Sequence, residues 1–252
     1  MPTLRLAAAL MISALGAASG GAQSLGGPGA SGSSAVAVAA ATAASQQVIG
    51  ATSITQSTNP TTIDSSTTTS CNGGAPTYLH TDNSYYRAFT LSAFNPPLDQ
   101  AQFRVQSVTI GIASAKAAAP NSTQPIALNV YRSTANPPSA ASLTLLSSAT
   151  VEVANQANSL LTVPLTNQPV FSVATGILVV EVFTPNGQAS GNSFLLGSNS
   201  LGQSGPSYFK AAACGIPEIR SLASSGFPNM QIVMTVNGNS QLPVGLTSFG
   251  ID

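Results

Sequence analysis

The sequence predicts an all-β protein: an antiparallel β-sandwich of about eight or nine strands, jelly-roll-like, preceded by a low-complexity stalk. Three observations carry this. From Cys71 onward, short runs of Val, Ile, Leu, Phe and Tyr recur at intervals of roughly 8–15 residues. The 17 prolines and 22 glycines fall largely between those runs, where turns belong. No stretch of that region shows a 3.6-residue apolar period over helical length.

Residues 1–22 read as a signal peptide. Arg5 supplies a positive start, Leu6 to Ala18 an apolar run, and Gly20-Gly-Ala22 the small residues of a cleavage site. The apolar run is short against a bilayer core of about 30 Å, and no transmembrane segment is expected once it is removed. Export to an oxidising compartment makes Cys71 and Cys214 a disulfide, with two buried thiols as the alternative. Residues 23–70 are Ala-, Ser-, Thr- and Gly-rich and read as a flexible stalk, with Val48 to Thr55 as a possible short strand inside it. The Ser/Thr tract Thr61 to Ser70 is a candidate for O-glycosylation.

The sandwich is expected over 71–238. Asn83 to Leu91 places Tyr85, Arg87, Phe89 and Leu91 on one face, and this mixture of charge and apolar bulk predicts a strand near an edge. Asn95-Pro-Pro97 ends it. In Phe103 to Ile112 the apolar phase changes between Val105 and Val108, which predicts a bulge at Gln106-Ser107. Ile126, Leu128 and Val130 are expected inward; Leu143 to Val153 forms a strand or bent pair, and Ser159 to Val163 a short one stopped by Pro164. Val170 to Val173 leads to Gly176 to Phe183, which runs into a Pro-Asn-Gly turn. Phe194 to Asn199, Pro206 to Lys210 and Met230 to Val236 follow, the last ending at an Asn237-Gly238 turn. Residues 239–252 read as a tail, either an edge strand or a linker.

Only 6% of the residues are charged, and seven basic side chains cancel seven acidic ones. A nucleic-acid partner is excluded on that ground, since phosphates need clustered Lys and Arg. A neutral surface offers little long-range repulsion between copies, so self-association is an expected partner mode, beside a surface glycan or protein.

Ser84-Tyr-Tyr-Arg-Ala-Phe, Leu178 to Gly187, Gly197-Ser-Asn199 with Gly202-Gln203, Pro206-Ser-Tyr208, Ala213-Cys-Gly215, Gly226-Phe-Pro228 and Ile232 to Gly238 together resemble a β-sandwich module of secreted bacterial proteins. The resemblance implies an exported or surface location and no particular activity. Leu242 to Phe249 is similar to the junction that precedes C-terminal domains of type IX-secreted proteins, though here the sequence stops at Asp252.

Candidate sites are few. His80 is the sole histidine, with Asp82 two residues on, but no Gly-x-Ser-x-Gly elbow accompanies them. Glu152 and Glu181 both sit in strands and are the pair to consider for glycoside cleavage; each reads more simply as an outward residue between core valines. No cofactor is implied. Calcium would have to be gathered from scattered groups such as Asp82 and Asp99, without a motif. Tyrosines offer platforms for a ligand or interface, and Tyr85, Tyr86 and Tyr208 are the residues singled out, with at least one of the adjacent pair expected at the surface. The expected function is therefore a secreted or cell-surface, non-enzymatic β-sandwich in adhesion, extracellular matrix or surface assembly. An accessory carbohydrate-binding module and an extracellular hydrolase are the alternatives.

Overall fold

The computed structural model describes residues 49–94, 98 and 101–241. The signal peptide, the first part of the stalk, the Asn95-Pro-Pro97 break, Asp99 and the tail beyond Gln241 lie outside them. The strands are β1 (Ile49–Thr55), β2 (Asn83–Thr90), β3 (Gln102–Lys116), β4 (Thr123–Ser133), β5 (Leu143–Ala154), β6 (Gln156–Pro164), β7 (Val170–Ser172), β8 (Ile177–Thr184), β9 (Ser193–Leu196), β10 (Ser198–Asn199), β11 (Ser207–Ala211), β12 (Ile216–Ser221), β13 (Gln231–Ile232) and β14 (Met234–Gln241). Among the described residues no helix is long and apolar enough to cross a membrane.

Two six-stranded antiparallel sheets form a sandwich. One has the order β1-β14-β3-β6, with β7 and β9 also pairing along the long β3; the other has the order β12-β11-β2-β8-β4-β5. The pairs are nested: β1 with β14, β2 with β8, β3 with β6 and β4 with β5. In each sheet a late strand lies between two early ones, the arrangement made by winding a folded ribbon into a jelly roll. The number exceeds the expected one because two expected runs are each divided, Phe194 to Asn199 into β9 and β10 and Met230 to Val236 into β13 and β14, and because β12, which pairs with β11, was not expected.

Alternation builds the core. Ile126, Leu128 and Val130 of β4 face inward, as do Leu178, Val180 and Val182 of β8, and they meet Val108, Ile110 and Ile112 of β3 across the sandwich. The phase change in β3 is a bulge: Asn237 pairs with Ser107 but Gly238 pairs with Val105, so Gln106 is the extra residue. The disulfide joins Cys71, in the loop that precedes β2, to Cys214, just after β11.

Four expectations are corrected. The segment 23–70 is not stalk throughout. β1 is the outermost strand of the first sheet, and Ile54 and Ser57 are buried, because β14 presents a free edge that β1 completes. β2 is not near an edge: it lies third in its sheet, and the charge of Arg87 is accommodated inside by backbone carbonyls. Asn237-Gly238 makes no turn. The strand runs through it to Gln241, so the first residues of the expected tail belong to the sheet. Finally, Tyr85 and Tyr86 are both buried.

Candidate functional site

Because successive side chains point to opposite faces, Tyr85 and Tyr86 part company. Tyr85 enters the core, where its ring lies 5.0 Å from that of Phe209 and its hydroxyl donates to the Thr69 carbonyl at 3.0 Å. Burial pushes its phenol pKa far up. Tyr85 is thus a core residue with no route to a ligand. Tyr86 and Tyr208 lie on the outer face, directly opposite each other on β2 and β11. They are covered by Tyr131, Leu143, Ile177 and Ile219, which form a second small apolar cluster. The Tyr208 hydroxyl donates to Asn136 Oδ1 at 3.2 Å, so the β4–β5 connection folds over it.

Register then does what the sequence did not show. Tyr208 faces Tyr86, Tyr86 faces Glu181, Glu181 faces Asn129 and Asn129 faces Ser148. One transverse row thus crosses five strands on the outer face. At its centre the Glu181 carboxylate, only 6% exposed, accepts three hydrogen bonds. Tyr86 Oη donates to Oε1 at 2.7 Å, and Tyr131 Oη and Asn129 Nδ2 donate to Oε2 at 2.6 and 2.9 Å. Ser148 Oγ donates to Asn129 Oδ1 at 2.7 Å, which fixes the amide's orientation. Both phenol pKa values are raised, first by burial and then by the neighbouring carboxylate. The hydroxyls stay protonated and act as donors; neither is an activated nucleophile. The face opens toward β5, where Ser148 and Thr150 are exposed and Leu145, opposite Tyr131, is 54% exposed.

The other candidates do not assemble. Glu152 faces Pro125 while Glu181 faces Asn129, four residues along β4 and about 13 Å at strand rise, too far for a glycosidase pair. His80 is buried in a loop, and its Nδ1–H donates to the Asn192 carbonyl at 3.0 Å. Its pKa is lowered by burial, against smaller opposing effects of the Pro185 and Asn192 carbonyls and of Asp82. Asp82 itself accepts from the Asn186 N–H. Among the described residues no three His, Cys, Asp or Glu side chains gather as a metal site; Asp99 lies outside them.

In the sequence Glu181 stands out only as half of a carboxylate pair, and Tyr131 is one of five tyrosines with nothing to single it out. The available signal was phase: Asn129, Tyr131 and Glu181 all occupy the outward positions of otherwise apolar strands.

No family model matches the chain, and no curated protein matches it. Among solved structures, the cysteine protease and lectin-like domains of Cwp84, a surface-layer-associated protein of Clostridium difficile, align over 65% of this chain and 33% of that one, with 15% identity and a TM-score of 0.43. A clostridial Cwp84 cysteine protease after propeptide cleavage aligns over 67% of this chain and 38% of that one, at the same identity and TM-score. The match thus spans 33% of one and 38% of the other, and a likeness at this level bears on neither activity nor partner.

Proposed function

We propose that this protein is an exported, non-enzymatic β-sandwich that acts in adhesion, extracellular matrix or surface assembly, and that it holds its target on the outer face around Glu181. The observation that carries the reading is the carboxylate fixed by three side chains from β2 and β4, a polar centre preorganised on a rigid sheet. A contact site needs that rigidity; a nucleophile would need the opposite of the raised phenol pKa values found here. The disulfide, which spans 143 residues of sequence, suits an oxidising compartment outside the cytoplasm.

The test is fractionation of producing cells, with a blot on intact cells, envelope, periplasm and medium. The wild type is expected at the surface or in the matrix, and Glu181→Gln is expected to be exported equally but shed into the medium. A freely soluble periplasmic species, or identical retention of both forms, would count against the reading.

A further inference from the structure

The donor and acceptor inventory around Glu181 is lopsided. A carboxylate offers about four lone-pair positions. Three are filled, two of them on Oε2, so the remaining one is on Oε1. Tyr131 has spent its single proton on Oε2, and its oxygen can now only accept. Tyr86 has spent its proton on Oε1, and its oxygen likewise can only accept. Asn129 gives one of its two amide hydrogens to Oε2 and receives Ser148. Against the open acceptors the cluster keeps one donor, the second Nδ2–H of Asn129.

It lacks a positive charge. All three partners of Glu181 are neutral, and Lys210, on the same face, pairs with Ser84 two strands away and one row along. A nearly buried carboxylate held only by neutral groups favours a cation that can reach it. The half-buried rings of Tyr131 and Phe183 stand on this face on either side of Glu181 and add electron-rich surface.

We propose that the Glu181 cluster is a receptor for a protonated primary amine. Such a group brings three donors and one positive charge, which fits the open position on Oε1 and the acceptor-only oxygen of Tyr131. A neutral hydroxyl would fill one position and leave the carboxylate uncompensated. An amino sugar and a lysine side chain offer the same chemistry. The inference rests on the outer face being the contact surface.

Calorimetric titration of the full chain separates the possibilities. The probes are glucosamine and Nα-acetyl-lysine amide, each beside its uncharged counterpart, N-acetylglucosamine and Nα-acetyl-norleucine amide. At least one amine is expected to bind, with its counterpart weaker by about tenfold or more. Which amine binds identifies the source. Thr150→Lys sets a tethered ammonium about 12 Å away, on an exposed position of the edge strand, and is expected to weaken amine binding by about tenfold through competition. That variant leaves the core untouched, so it remains informative if Glu181→Gln fails to fold. Equal binding of charged and neutral probes, or no binding of either amine, overturns the proposal. Should Glu181→Gln lose surface retention while neither amine binds the wild type, the amine is wrong and the contact-face reading survives. Amine binding that leaves retention unaffected supports the receptor and removes its link to retention.

Discussion

Arg87 shows how a single side chain can mislead a sequence reading and then explain the structure. It points inward with no exposed surface. Its Nε and Nη2 donate to the Ile232 carbonyl and its Nη1 to the Gly205 carbonyl, at 3.2, 2.5 and 2.7 Å. Burial pushes the guanidinium pKa down to about 9, so it stays charged at neutral pH. The residue fastens β2 to the segment that carries β10 to β13. Arg87→Ala is expected to cost about 3–5 kcal/mol in urea unfolding, from stranded carbonyls and lost packing. Arg87→Lys is expected to recover only part of that, since a point charge cannot span both carbonyls as a planar fork does. His80 gives the second prediction at this scale. Its pKa in the folded state is below the ordinary 6.5 because of burial. The unfolded chain therefore takes up the proton first, and stability that is complete above pH 6.5 is lost as pH falls below it. The urea midpoint of the wild type is expected to drop between about pH 7 and about pH 5, and that of His80→Gln to drop less. A steeper fall in the variant would refute the assignment.

Among the elements, β3 was the most legible. Its two apolar phases could be read directly because each phase is several residues long, and a pleated strand cannot bury both without an extra residue between them. The consequence on the partner strand was not legible. Opposite the bulge, the β14 backbone comes so close that a Cβ on Gly238 would collide with the Arg104 carbonyl and the Phe103 ring. Asn237-Gly238 looked like a hairpin turn because that pair favours one, but here the glycine serves close approach inside a strand. Gly238→Ala is expected to destabilise by about 1–3 kcal/mol in denaturant melts, against a few tenths for an alanine placed at exposed Thr162. Equal effects at the two positions would mean that the bulge yields. The row around Glu181 was hidden for a related reason. Its members are separated by 95, 52 and 50 residues along the chain, and only the register of β2, β8 and β4 brings them together. Strand identity was readable from alternation; pairing partners were not.

At the scale of the whole molecule, the nested pairing decides where the domain begins. β1 carries little apolar content, with Ile54 the one buried core side chain among those described, so composition placed it with the stalk. Its contribution is mainly its backbone, which pairs with β14 from Ile49 to Thr55 and covers an otherwise open edge. The following residues continue across the sandwich: Gln56 donates to the Ala88 carbonyl, and Asn199 donates to the carbonyls of Asn59 and Thr62. Cys71, where the change in composition falls, is thus well inside the fold, and the disulfide ties this entering segment to the β11 turn. Opening that bridge releases a loop of 143 residues in the unfolded chain and is expected to cost about 2–5 kcal/mol, read as a fall in the urea midpoint on reduction. A shortened chain starting at Ser45 is expected to remain monodisperse and to melt like the whole. One starting at Cys71 keeps the disulfide but lacks β1, leaving the β14 edge bare, and is expected to aggregate or to lose cooperative unfolding. If both versions melt alike, β1 is an accessory to the sheet rather than the strand that closes it, and the domain begins where the composition changes.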